Sequence, residues 1–137
     1  MSALTLATAQ ALIEGALAHA RAANMKPLSV IVLDAGAHPI AFAREDGASF
    51  ARMDIARAKA AGSLGMEADT SVLAERARGN PVFFQSVSVA LEGRIAFSPG
   101  GVLVRQDGQI VGAVGISGDT GENDEVAAKA GMAAAGL

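Results

Sequence analysis

The 137-residue chain contains no cysteine, no tryptophan and no tyrosine, and it has only two histidines. Without cysteine there is no thiol nucleophile, no disulfide framework and no cysteine-ligated zinc or iron–sulfur centre, and the redox compartment is left open. Charge is sparse as well. Eleven basic residues against fourteen acidic ones give a net charge of −3, and the lysines and arginines are scattered, so there is no basic stripe for nucleic acid. No apolar run approaches the roughly 18 residues that would span a bilayer. The stretch MSALTLATAQALIEGALAHARAAN has no positive segment ahead of its apolar part and carries Glu14 within it, so it does not read as a targeting segment. Location in the cytoplasm, away from any membrane, is the expectation. The usual enzyme motifs are missing too: no G-x-S-x-G elbow, no Walker loop, no HExxH and no expected protein metal site.

What the chain has in excess is apolar residues, 51% against 18% charged. At this length one domain over 1–137 suffices, and folding buries roughly two thirds of the surface of the unfolded chain. So small a charged fraction covers a small globule poorly. Part of the apolar surface is therefore expected at subunit contacts, in a homo-oligomer built on a dimer.

Periodicity assigns the elements in order. Ala9, Leu12, Ile13, Ala16, Leu17 and Ala20 recur at helical spacing, with Thr5 as N-cap and Asn24 as stop. Leu28–Leu33 and His38–Arg44 read as a hairpin whose turn, Asp34–Ala37, places Gly36 at positive φ. Ser49 caps a helix from Phe50 to Met66, on which Ala56, Ala60 and Ser63 form a stripe of small residues. A short helix follows from Thr70 to Arg78, capped by Asp69 or Thr70. Asn80-Pro81 then opens another through VFFQSVSVAL, because an Asn before a first-turn proline outweighs the strand preference of valine and phenylalanine. Phe83 and Phe84 are its core or interface anchors. Arg94–Phe97 is expected as a strand. The last helix opens at Asn123, with Val126, Ala130, Ala133 and Leu137 along one face.

The most informative stretch is Ser98–Asp124, SPGGVLVRQDGQIVGAVGISGDTGEND. Asp107-Gly108 tolerates positive φ at both central positions and closes a two-residue hairpin between Val102–Arg105 and Gln109–Ile116. Glycine loops open at both ends of this hairpin. GAVGISG thus falls inside a strand, which excludes a dinucleotide fingerprint. Counting Arg94–Phe97, two hairpins joined by a helical excursion give a five-stranded antiparallel sheet carrying helices, an α/β layer fold of the α+β kind.

PGG, an apolar residue, a basic residue, DG, then VGAVGISG and an acidic DE pair together resemble the GlcG/HbpS family, which includes the haem-binding C-terminal domain of PduO proteins. The resemblance extends back through Lys59-Ala60, Arg44 with Asp46-Gly47-Ala48, and VIVLDAG at Val30–Gly36, covering nearly the whole chain. It implies a profilin-like fold and makes haem the implied cofactor. The sequence departs from the family pattern at Ala37, Glu45 and Gly62-Ser63.

Two functions stand beside each other. One is a small-molecule-binding domain for haem or another carboxylate-bearing ligand near the Pro99-Gly100-Gly101 loop. There Gly100 and Gly101 supply backbone N–H groups, and Arg44, Lys59 and Arg105 supply a cationic wall. For haem, axial ligation falls to His38, to His19 or to a methionine, since tyrosine and cysteine are absent; His38, beside a turn, is the better placed histidine. The other is a cofactor-independent enzyme acting on a small carboxylate or carbonyl compound, with Lys59, Glu45 and Asp124 as acid/base candidates. Each has a plain structural alternative. Lys59 can snorkel to solvent, Glu45 can be a surface change, and Glu122, Asp124 and Glu125 suit the positive end of the last helix.

Overall fold

The computed structural model describes residues 4–137. Its element order is α1 (Leu6–Ala22), β1 (Ser29–Asp34), β2 (Pro39–Arg44), α2 (Ala51–Met66), α3 (Thr70–Gly79), α4 (Pro81–Ala90), β3 (Gly101–Gln106), β4 (Gln109–Ser117) and α5 (Gly121–Ala134). The strands form one antiparallel sheet in the order β2-β1-β4-β3. Alternation along the strands separates two layers. Val30, Val32, Val104, Val114 and Ile116 face α1 and α5, whereas Ile31, Leu33, Leu103 and Ala113 face Ala56 and Ala60 of α2. Each fully buried leucine or isoleucine, such as Leu12, Leu33 or Ile116, contributes about 1.5–3 kcal/mol by leaving water.

Local chemistry accounts for most boundaries. Thr5 accepts a hydrogen bond from Thr8 N and starts α1, and Asn24 takes φ 55° just past its end. Asp107 and Gly108 both have positive φ, as a two-residue hairpin with the strands' twist requires. Pro81 sits in the first turn of α4, where its missing N–H costs nothing.

Four expectations need correction. The sheet has four strands, because Arg94–Phe97 forms none. Ile95 is buried, packed on α2 where Gly62 has no side chain, which carries this segment past the helix rather than along the sheet. The outer edge of β3 is closed by α3 instead. Asp69 Oδ1 accepts from Leu103 N at 2.9 Å and Thr70 Oγ1 from Gly101 N at 2.8 Å. That use of Asp69 also explains why its side chain does not cap α3. At the start of α2, Phe50 occupies the N-cap position without a side-chain hydrogen bond, and Ser49 contributes only its carbonyl, to Arg52 N. In the first hairpin Ala37, not Gly36, takes positive φ, at 66°. Finally, α5 buries Asp124, Ala127, Ala128 and Gly131 and exposes Val126, since small residues let it approach α1 closely.

Candidate functional site

Helix α2 carries two sets of polar residues on different faces. Toward the sheet, Lys59 is buried at 3% exposure beside Asp124 at 1%. The Lys59 ammonium donates to Ile116 O at 2.8 Å and to Asp124 Oδ2 at 3.2 Å, and Asp124 Oδ1 accepts from Asp119 N at 3.0 Å. Burial pushes the Lys59 ammonium below its ordinary range against the pull of Asp124, and burial pushes the Asp124 carboxyl up against the pull of Lys59. Gly100 closes over the pair at φ 126°, and a Cβ there would lie 2.9 Å from Lys59 Nζ. Gly101 is pressed on the Lys59 carbonyl and on Thr70. Both glycines are therefore occupied in packing, with protein rather than open space against them. Asp119, which the sequence did not single out, braces this corner. Its carboxylate accepts from Lys26 N, Thr120 N and the Asn123 amide, each at 2.8 Å, and these bonds lower its pKa to about 2.

Away from the sheet, the other side of α2 lines an open groove of about 730 Å³. Its walls are the turn Ala35–His38, the helix residues Asp54, Arg57, Ala58, Ala61, Leu64 and Gly65, and the loop residues Leu91, Gly93 and Arg94. His38 is largely exposed, with Nδ1 3.2 and 3.3 Å from the Asp34 carboxylate oxygens. The same Asp34 Oδ1 accepts from Gly36 N and His38 N, both at 2.9 Å. Chiefly through the His38 amide, this holds the Asp34 carboxyl below the usual carboxylate range. The carboxylate can only accept, so its contact with Nδ1 is matched when that ring nitrogen carries a proton. The imidazole leans over Gly36, where any Cβ would meet Cε1 at 2.9 Å.

The remaining candidates fall elsewhere. Arg44 donates to Ala48 O at 2.8 Å and borders a smaller polar depression with Arg21, Glu45 and Asp46. Glu45 is a fastening: it pairs with Arg21 at 2.9 Å and accepts from Leu28 N at 2.8 Å, tying the end of α1 to β2. Arg105 is exposed on β3 near the hairpin tip, paired in register with Ile110. Four residues of extended strand, about 13 Å at the usual rise, part it from Gly101. The expected cationic wall of Arg44, Lys59 and Arg105 is thus not assembled, whereas Lys59, Asp124, Gly100 and Gly101 do meet. His19 lies on α1, across the sheet from the groove. Arg57 and Arg94 were missed because isolated exposed arginines carry no spacing signal; only the fold puts them in one groove with His38.

With this geometry in place, comparison with known proteins adds an independent line. A family model described as haem degrading protein HbpS-like matches residues 4–133. Among solved structures, protein ORFY of Klebsiella pneumoniae superposes with TM-score 0.89 at 26% identity, over 97% of this chain and 90% of that one. A PduOC:haem complex gives TM-score 0.88 at 25% identity, over 97% and 95%. A double mutant of HbpS from Streptomyces reticuli gives TM-score 0.82 at 30% identity, over 97% and 87%. No curated protein sequence matches significantly.

Proposed function

The chain belongs to the HbpS-like family, and from that premise we propose that it is a small-molecule-binding protein that takes haem in the His38 groove. The observation that carries this reading is the meeting there of an imidazole, two guanidinium groups and an apolar floor. The volume lies within the range of about 300–1,000 Å³ usual for ligand sites. Ala58, Ala61, Leu64 and Leu91 suit the face of a macrocycle. Arg57 and Arg94 suit propionates, as forked donors that stay charged. His38 offers Nε2 to iron. Haem, when bound, would supply a redox-active iron centre that this imidazole could ligate. The protein's own contribution is to bind, orient and partly desolvate that group.

Lys59 and Asp124 act on this reading as a structural pair. Their polar atoms are already matched to each other, to Ile116 O and to Asp119 N, and neither residue lines the groove. Ferric haem titrated into the protein is expected to give a shifted Soret band, and His38→Ala is expected to weaken binding at least tenfold, about 1.4 kcal/mol. A band that His38→Ala leaves unchanged would reject the site. No band at all would favour the alternative, a cofactor-independent enzyme acting on a small carboxylate or carbonyl compound.

Self-association belongs to the same proposal. Helix α4 buries only Phe84, stacked edge-on with Phe97 at 5.5 Å, while Val82, Phe83 and Val89 are largely exposed. A second copy covering such side chains would explain the low charged fraction. Sedimentation at micromolar concentration is expected to show a species of at least twice 13.7 kDa; a clean monomer contradicts it.

A further inference from the structure

The arrangement around His38 contains more than a ligand. We propose that Asp34 is a positioning residue, fixing the tautomer and orientation of His38 so that Nε2 faces an incoming metal centre. The inference rests on the haem reading for its purpose, but its first test does not use haem.

Three features converge on one imidazole. The Asp34 carboxylate reaches His38 Nδ1 at 3.2 Å while accepting the backbone N–H groups of Gly36 and His38 at 2.9 Å each, so one side chain sets both the turn and the ring. Gly36 leaves room for the ring to lie back over the turn, where a side chain would collide with Cε1. Ala37 is held at φ 66°, a conformation that costs a non-glycine residue about 1–2 kcal/mol and that the Asp34 hydrogen bonds sustain. A solvated turn histidine needs none of this. A histidine that binds metal through Nε2 characteristically donates its other N–H to a carboxylate, which fixes the tautomer and raises ligand basicity. Among the described residues, the other charged groups lining the groove are Asp54, Arg57 and Arg94. Arg94 Nε is engaged with Leu91 O at 2.9 Å.

Asp34→Asn is the informative variant, since it retains an oxygen for the two backbone N–H groups while replacing the charge and the Oδ2 acceptor facing Nδ1 with an amide donor. In ligand-free wild type, long-range ¹H–¹⁵N spectra of the imidazole should show the Nδ1–H tautomer at neutral pH, and Asp34→Asn should shift the population toward Nε2–H. With ferric haem, the variant should bind roughly tenfold more weakly and the midpoint potential should move positive, because the negative charge facing Nδ1, which favours ferric iron, is gone. A wild-type His38 found as Nε2–H overturns the inference, even if Asp34→Asn does not fold. So does an Asp34→Asn protein with unchanged affinity and potential while His38→Ala abolishes binding. If His38→Ala leaves the haem band intact, the haem reading falls. The tautomer result then still decides whether Asp34 orients the ring.

Discussion

The two faces of α2 present the same kinds of residue in opposite states. On the sheet side, Lys59 and Asp124 are sealed and mutually matched beneath Gly100; on the outer side, His38, Arg57 and Arg94 border a groove with imidazole Nε2 uncommitted. A lysine and an aspartate look like chemistry in a sequence, yet here they face each other, Ile116 O and Asp119 N inside the fold. What separates the two faces is therefore not residue type but burial and exposure to an open groove.

The sharpest way to break this contrast is to cut the sealed side. Lys59→Ala leaves a buried carboxylate without its cation and should cost about 3–5 kcal/mol in urea unfolding, while the protein that remains folded binds haem as before. A loss below about 1 kcal/mol, or a tenfold loss of affinity at unchanged stability, would return Lys59 to the binding site. On the open side, Arg57→Ala and Arg94→Ala should each weaken haem binding by up to tenfold, about 1.4 kcal/mol, with stability nearly unchanged. Arg44→Ala and Arg105→Ala, whose side chains do not line the groove, should leave affinity alone. Replacing Ala37 by glycine removes the left-handed strain and should stabilise the protein by up to about 1 kcal/mol, at the cost of a looser His38 and weaker haem binding.

The smallest effect concerns acid. Asp119 has a folded pKa of about 2 against 3.8, so in that interval the unfolded chain binds more protons than the native one. Its contribution is fully present above about pH 4 and is lost as pH falls toward 2. Asp119→Ala should flatten the pH dependence of stability across that window, and an unaltered acid limb would show that the bracing bonds are weak.

Much of the architecture was legible because local signals agreed with the tertiary structure. Thr5, Pro81 and Asp107-Gly108 each impose a backbone state that the fold then uses, whereas the Asn80 side chain makes no capping bond. Arg94–Phe97 was not legible as a non-strand, since nothing local reveals that Asp69 and Thr70 close the edge of β3 from more than thirty residues away. Among the candidate residues, His38 was recognisable as a turn histidine and Lys59 as an unusual charge on its helix. Whether Lys59 faced solvent or core depended on Asp124, 65 positions along the chain. The groove escaped notice because its walls come from three separate segments, and its arginines are unremarkable until those segments meet.

The most direct measurement is the position of iron. In crystals grown with ferric haem, the anomalous signal of iron should appear in the groove beside His38 Nε2, with the propionates toward Arg57 and Arg94. Iron beside the Gly100–Gly101 loop, or anywhere His38 cannot reach, would contradict the account.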